Sequence, residues 1–260
     1  MKYAIMSDAH ANPLALKAAL SDARSFGCEK FIFAGDITGY GYDAKATLDI
    51  VRENFDVVLL GNHDSACAGL EPAWMVKMVS SYALDMEARG KLSPDDIEWL
   101  RTLPLLHGGD GFAVVHGDFA NPKAWDYIDS KEAAGLNFRK RKERLMFCGH
   151  THHAMVWEAT GKGVFREKLA SRFAHAAPRP ESVSFELAQS RYIVNCGSVG
   201  YPRADLCSSY AIFDSSAAKV CVRRLPFDFK SYITEMLKND LALTDWLVAI
   251  LIEASRKEIA

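Results

Sequence analysis

Short apolar runs alternate with amphipathic helical segments over residues 1–60, and this alternation constrains the fold more than any other feature. The apolar runs are Lys2–Met6, Phe31–Ala34 and Val57–Leu60. Between the first two, Asn12 is a favoured N-cap, Pro13 suits the first helical position and Gly27 suits the C-terminal stop. Ala44–Asn54 has the pattern of a second helix. Strand, helix, strand, helix and strand in this order predict βαβ units and a parallel sheet.

After residue 60, the sequence pattern predicts mainly helices at first and mainly strands later. Residues 72–103 and Lys131–Arg144 have helical patterns, and the Gly-Gly-Asp-Gly sequence after His107 predicts a hairpin turn. Further strands are expected at Leu145–Cys148, Ser182–Leu187, Tyr192–Asn195, Ser209–Phe213 and Lys219–Leu225, followed by a helix at about 229–259. Because strands continue on both sides of the flexible-loop candidate His175–Ser182, we expect one domain over residues 1–260.

A cluster of polar side chains follows each of five strand-like runs. The clusters are Asp8-Ala9-His10, Gly35-Asp36, Gly61-Asn62-His63-Asp64, His116-Gly117-Asp118 and Gly149-His150-Thr151-His152-His153. Ligands bind α/β sheets beyond the carboxyl ends of the strands, so we expect these clusters to converge there. If the segments stay extended, residues two apart project to one side, which pairs Asp8 with His10 and His150 with His152 and turns His153 away.

The chemistry of these side chains favours a metal site. Imidazole nitrogens and carboxylate oxygens without a thiolate suit a borderline divalent transition metal, and the clusters hold enough ligands for two ions. Each cluster alone has an ordinary explanation as a turn, a helix cap or a hydrogen-bonded loop. Their order along the chain, each at the end of a predicted strand, favours the metal site over those explanations.

Composition argues against several other classes of function. The formal net charge is -2 at pH 7, so no basic surface for nucleic acid is expected, and the run Arg139–Arg144 is interpreted as a solvated helix face. No apolar run reaches the length of a membrane span. The 6 cysteines are scattered without a CxxC pair and no export signal is recognisable, so we expect a cytoplasmic protein with reduced thiols.

The order of these motifs resembles the calcineurin-like metallophosphoesterase superfamily. The matching series is "SDAHAN", "GDITGYG", "GNHD", "VHGD" and "GHTHH", and "NCGSVGYPR" adds a resemblance to its compact bacterial and archaeal branch. The resemblance implies an α/β fold of two facing mixed β-sheets flanked by helices, a four-layer αββα sandwich. The chain departs from the branch at Cys196, where proline is frequent, and this concerns a loop rather than the metal ligands.

The resemblance also implies a dinuclear metal centre. Asp8, His10 and His152 would bind the first ion, Asn62, His116 and His150 the second, and Asp36 both. Two divalent ions, manganese in the first place and iron, nickel, cobalt or zinc as alternatives, would hold the hydroxide that attacks a phosphomonoester or phosphodiester. The resemblance makes His63 the acid that protonates the leaving oxygen and Asp64 the carboxylate that orients it, so these two are the expected catalytic residues.

Three further residues are candidates for contact with the substrate: Asn12, Ser198 and Arg203. Asn12 is equally a helix N-cap, which we favour. Arg203 is either an exposed arginine or a guanidinium that clamps a second phosphate. His153 is interpreted as an exposed or hydrogen-bonded loop residue, with a contact at the pocket rim as the alternative.

The expected substrates are small organophosphates and nucleotides, and the sequence predicts neither the leaving group nor the oligomeric state. Two other functions stay open. One is a dinucleoside polyphosphate hydrolase, which needs a basic pocket for a second phosphate. The other is a non-catalytic interaction scaffold on the same fold, and the presence of His63 favours an enzyme over that scaffold.

Overall fold

The structure is a computed structural model that describes residues 1–70, 79–109, 111–160, 165–167, 181–187, 189–203, 207–239 and 241. The strands in chain order are β1 (Lys2–Met6), β2 (Lys30–Phe33), β3 (Val57–Val58), β4 (Leu106–Gly109), β5 (Phe112–Val115), β6 (Leu145–Cys148), β7 (Ala154–Ala159), β8 (Phe165–Glu167), β9 (Glu181–Glu186), β10 (Arg191–Cys196), β11 (Cys207–Asp214) and β12 (Lys219–Pro226). The helices are α1 (Pro13–Ser25), α2 (Ala44–Asn54), α3 (Asn62–Ala68), α4 (Val79–Gly90), α5 (Pro94–Thr102), α6 (Lys131–Lys140) and α7 (Phe229–Lys238).

The strands form two six-stranded mixed sheets. The first has the order β3-β2-β1-β11-β12-β9, and the second has the order β4-β5-β6-β10-β7-β8. In the first sheet β1 is parallel to β2, with Ile5 beside Ile32, and antiparallel to β11. In the second sheet β6 is parallel to both β5 and β10. The parallel β1-β2-β3 unit predicted from the sequence is therefore confirmed, and antiparallel strands extend it.

Apolar side chains join the two sheets face to face. Tyr3 and Ile5 of the first sheet lie in one buried cluster with Phe112 and Phe147 of the second, and the Tyr3 and Phe112 rings lie edge to face at 5.2 Å. Helices α1 and α2 cover the outer face of the first sheet, and α6 covers the outer face of the second. The arrangement is the expected four-layer αββα sandwich.

Two helix starts show how local sequence fixes the element boundaries. The Asn12 side chain accepts a hydrogen bond from the Ala15 N–H, as an N-cap does. Ser93 and Asp96 form a reciprocal capping box at the start of α5. The Asn12 cap follows the sequence prediction.

Some elements differ from the sequence prediction. The α6 helix ends at Lys140 rather than Arg144, because the Arg191 guanidinium donates hydrogen bonds to carbonyls of residues 138, 141 and 143. Helix α3 and strand β7 were not predicted. Residues 72–78, 175–180 and 242–259, which belong to a predicted helix, the loop candidate and the C-terminal helix, lie outside the described residues. Within the described ranges, no helix has the length and apolar character needed to cross a membrane.

Candidate metal centre

The polar clusters of five segments meet at one end of the sandwich. Asp8 and His10 follow β1, and Asp36 follows β2. The other residues of the site stand at the start of α3 and after β5 and β6: Asn62, His63, His116, His150 and His152. The two sheets are tied together here, because the His150 N–H donates to Asp8 Oδ2 at 3.0 Å and His116 Nδ1 lies 2.9 Å from the Ala34 carbonyl oxygen. All of these side chains are buried.

The side chains form two groups that could each hold a metal ion. One group consists of Asp8, His10, Asp36 and His152, and the other of Asp36, His116 and His150. Within each group one atom from every side chain lies within 4.8 Å of the others. Asn62 lies next to the second group, because its Oδ1 is 3.1 Å from His116 Nε2. Asp36 is common to both groups, as the bridging role requires.

Each histidine of the two groups has one ring nitrogen next to a backbone carbonyl, and the other ring nitrogens face each other. Carbonyl oxygens lie at 3.0 Å from His10 Nδ1, 2.9 Å from His116 Nδ1, 2.7 Å from His150 Nε2 and 2.7 Å from His152 Nδ1. A carbonyl only accepts, so these ring nitrogens carry the protons and the opposite ones are acceptors in the neutral ring. The acceptor nitrogens of His10 and His152 are nevertheless 3.0 Å apart, and those of His116 and His150 are 3.1 Å apart.

Two carboxylate oxygens complete the evidence that these residues fit a cation. Asp8 Oδ1 and Asp36 Oδ2 are buried and find no hydrogen-bond partner among the described residues. They lie 3.2 Å from His152 Nε2 and 3.1 Å from His116 Nε2, respectively. Buried acceptors crowded together without a donor are costly, and a divalent cation satisfies all of them at once.

The pKa values of two of the histidines agree with this view. Burial lowers the pKa of His10 and of His150 to about 3, which leaves both rings neutral at pH 7, as metal ligands must be. For His116 burial also lowers the pKa, but the charge of Asp36 outweighs it and raises the pKa to about 9. The carboxylates therefore attract positive charge to this point.

The backbone itself shapes the site. Five of the ligand residues have φ in the left-handed region: Asp8 at 58°, His10 at 45°, Asp36 at 59°, His150 at 67° and His152 at 63°. Such values are uncommon outside glycine and cost on the order of 1–3 kcal/mol each. The expectation that extended segments bring Asp8 with His10 and His150 with His152 is therefore wrong in its mechanism. Tight turns, rather than strand alternation, direct these side chains to one point.

His63 lies at the start of α3, beside the metal ligands but outside both groups. Its backbone N–H donates to Asp36 Oδ1 at 2.9 Å, and its ring centroid is 5.0 Å from that of His10. Its Nδ1 lies 2.6 Å from Oδ1 of Asp85 on α4. Gly39 permits this contact, because a Cβ there would lie 2.7 Å from His63 Nδ1.

The role predicted for Asp64 is wrong. Its carboxylate accepts hydrogen bonds from the backbone N–H groups of residues 36, 37, 38 and 61 and from the Thr38 hydroxyl. Consecutive residues of a helix point about 100° apart, so Asp64 faces the turn after β2 while His63 faces the site. Asp64 fixes the turn that carries Asp36, and Asp85 takes the place at His63.

Sequence and structure comparisons agree with this geometry. The family model described as the calcineurin-like phosphoesterase superfamily domain matches residues 1–218. The chain belongs to the calcineurin-like phosphoesterase superfamily. It is 27% identical over 250 residues to the uncharacterized protein MJ0912 of Methanocaldococcus jannaschii, covering 94% of each chain.

Two solved structures resemble this chain. A metallophosphoesterase from Sphaerobacter thermophilus is 31% identical with a TM-score of 0.78, covering 96% of this chain and 97% of that one. The hypothetical protein PH1004 from Pyrococcus horikoshii shares the fold with a TM-score of 0.71 at 18% identity, covering 95% and 96% of the two chains. The protein is therefore a metallophosphoesterase, and this superfamily typically binds divalent metals.

Four of the candidate metal ligands, Asp36, Asn62, His150 and His152, line a cavity of about 830 Å³. Beyond the metal ligands and His63, its wall carries the aromatic residues Tyr40, Tyr82, Trp125 and Tyr127. The cations Lys123 and Arg203 and the acids Asp85 and Asp126 also line it. The cavity is large enough for a small organic phosphate.

The three residues predicted to contact the substrate lie in different positions in the phosphoesterase. Arg203 lines the cavity. Asn12 is buried, caps α1 and donates to the Gly200 carbonyl at 3.1 Å. Ser198 is buried, donates to the Asp8 carbonyl and accepts from the Tyr201 N–H, each at 2.8 Å. The polar atoms of Asn12 and Ser198 hold the backbone next to Asp8, and neither residue is among the described residues that line the cavity.

Several residues at the candidate site were not predicted. Asp85 falls on the apolar face of α4, where an acid among buried residues such as Leu84 and Ala88 is a recognisable signal. Trp125 and Tyr127 belong to a segment without a motif, and Trp125 has a φ of 59°. His153 is half-buried and is not among the described residues that line the cavity.

Proposed function

We propose that this protein is a metal-dependent phosphohydrolase that cleaves a small phosphomonoester or phosphodiester with two divalent cations. The observation that carries the proposal is the pair of ligand groups joined by Asp36, in each of which two histidine nitrogens lie within about 3.1 Å of each other beside a buried carboxylate oxygen. A single ion would leave one of these nitrogen pairs unsatisfied. Asp8, His10, Asp36 and His152 would hold one ion, and Asp36, Asn62, His116 and His150 the other.

The two ions, when bound, would activate the attacking water and screen the charge of the phosphoryl oxygens. The chain's own residues do the rest. The ligand set is buried and part of it lines the cavity, so the phosphoryl group would approach from the cavity. The aromatic wall then excludes bulk water from around the ester, which strengthens every charge interaction there.

His63 is the proposed acid that donates a proton to the leaving oxygen. Its Nδ1 is engaged by Asp85 at 2.6 Å, so Nε2 is the nitrogen that is left to donate into the cavity. Burial lowers the pKa of His63, but the charges of Asp85, Tyr40 and Asp36 raise it well above its ordinary value. The carboxylates therefore favour the imidazolium, which is the form that a general acid needs.

Manganese is the proposed native metal, because oxygen and imidazole ligands without thiolate suit it, and iron, nickel, cobalt and zinc suit the same set. Small organophosphates and nucleotides are the proposed substrates. We further propose that the chain forms one domain and acts in the cytoplasm.

The test uses purified protein stripped with EDTA and reloaded with Mn²⁺. We expect close to two equivalents of metal by mass spectrometry, and hydrolysis of bis-p-nitrophenyl phosphate or p-nitrophenyl phosphate that EDTA abolishes. Trace metal after reloading would refute the dinuclear centre. Two bound equivalents without hydrolysis of any phosphoester in a broad screen would favour the interaction scaffold.

A further inference from the structure

Arg203 is a cation inside the cavity that the metal chemistry does not use. Its guanidinium lies 6.0 Å from the centre of the Tyr40 ring, and the His63 and His10 rings lie 4.5 Å and 4.7 Å from the same ring. The guanidinium and the metal-site histidines therefore share one aromatic neighbour. Within the described ranges the guanidinium forms no ion pair, and its polar contacts are two tyrosine hydroxyls.

The two tyrosines hold the guanidinium against the cavity wall. Nη2 donates to the Tyr40 hydroxyl and Nη1 to the Tyr127 hydroxyl, each at 3.4 Å. Tyr40 is itself fixed, because its ring stacks on Tyr201 at 4.6 Å with an interplanar angle of 14°. An arginine has five N–H donors, and these contacts use two of them. The remaining donors form a planar group that suits a carboxylate or a phosphoryl group.

We propose that Arg203 is a specificity-determining residue that binds a second anionic group of the substrate, in the same cavity as the phosphoryl group that reacts. The preferred substrates then carry a phosphoryl or carboxylate group besides the scissile phosphate. The proposal rests on the proposed function, since it places the scissile phosphoryl group at the metal ligands. Lys123 also lines the cavity, but it is exposed, whereas Arg203 is partly buried.

The experiment measures binding, with three phosphonates that share a two-carbon backbone. Ethylphosphonate has no second anion, 3-phosphonopropionate has a carboxylate and 1,2-ethylenediphosphonate has a second phosphonate. Isothermal titration calorimetry with Mn²⁺-loaded protein should give a Kd about tenfold lower for one or both of the two longer anions than for ethylphosphonate. The comparison of 3-phosphonopropionate with 1,2-ethylenediphosphonate distinguishes a site for a carboxylate from a site for a phosphoryl group.

Arg203→Gln should remove this preference, so that the three Kd values come within about threefold of each other. Arg203→Lys keeps the charge without the planar group and should retain only part of the preference. Tyr127→Phe removes one hydroxyl that holds Arg203 and should weaken the preference by a smaller factor. The matched control is Arg139→Gln, because Arg139 is exposed on α6 and does not line the cavity.

Equal loss of affinity for all three phosphonates in Arg203→Gln, or no loss for any, would overturn the proposal. Equal Kd values for the three compounds in the unaltered protein would overturn it as well. Failure of the proposed function gives a different result. The protein would then hydrolyse neither bis-p-nitrophenyl phosphate nor p-nitrophenyl phosphate, whichever phosphonate it binds best.

Discussion

His63 and Asp85 illustrate at the scale of single residues how a helix without a motif can complete the site. Asp85 is fully buried and its Oδ1 faces His63 Nδ1. The carboxylate both fixes the ring and favours its charged form. The sequence identifies His63 because it stands next to a metal ligand. It cannot identify the partner, because which acid reaches the ring depends on how α4 packs against α3.

Replacing Asp85 by Asn should reduce kcat by about tenfold or more with a smaller change in KM, because the ring loses its orientation and its charge. Asp85 raises the pKa of His63, and the acid form is present below that pKa and lost as the pH rises through it. Without Asp85 the alkaline limb of the kcat profile should therefore move to lower pH. Glu87→Gln on the same helix is the control, and an unmoved alkaline limb would contradict the role of Asp85.

His116 should be essential for the second metal group. In His116→Ala we expect about one metal equivalent to be lost and hydrolysis to fall by about a hundredfold. His107→Ala is the matched control, since His107 lies on β4 outside both metal groups. Metal content by mass spectrometry separates this from a folding defect, and full retention of two equivalents would contradict the assigned ligand role.

At the scale of elements, the sequence predicts those whose ends carry their own chemical signals. Strand β6 has the predicted bounds, and α1 begins after the predicted N-cap. Helix α3 escapes prediction because it is 7 residues long, has no apolar stripe and begins at a metal ligand. The end of α6 was not predicted for another reason. Arg191, which donates hydrogen bonds to its carbonyls, belongs to β10, far along the chain.

Arg191→Gln should destabilise the protein by about 2 kcal/mol or more, because three carbonyls near the end of α6 lose a charged donor. The free energy of unfolding, measured by urea titration, is the readout. Arg139→Gln on the exposed face of α6 should stay within about 0.5 kcal/mol of the unaltered protein. Equal stabilities of the two variants would show that the carbonyl contacts contribute nothing.

At the scale of the whole molecule, the candidate metal centre bridges the two sheets. Asp8, His10 and Asp36 follow strands of the first sheet, whereas His116, His150 and His152 follow strands of the second. Ions bound here would therefore connect the two halves of the sandwich. The motif order predicts this convergence, but the aromatic wall with Trp125 and Tyr127 depends on a segment whose position only the assembled sheets determine.

Metal loading should raise the melting temperature. Metal at about 100 times its Kd contributes about 2.7 kcal/mol per site, which corresponds to roughly 5–10 °C for a chain of this size. Differential scanning calorimetry with Mn²⁺ and with EDTA measures the shift, and His116→Ala should show a smaller one. Identical melting temperatures with and without metal would contradict a centre that joins the sheets.

The left-handed backbone of five ligand residues has a consequence for how fast the protein acquires metal. Their conformations are held by backbone contacts such as Asp8 N–H to the Gly35 carbonyl at 2.9 Å and His10 N–H to the Asp36 carbonyl at 3.1 Å. The unfavourable free energy of these backbone conformations is therefore already included in the folding of the metal-free protein. An incoming ion orders no loop, so its capture should be a single kinetic step whose rate rises linearly with metal concentration.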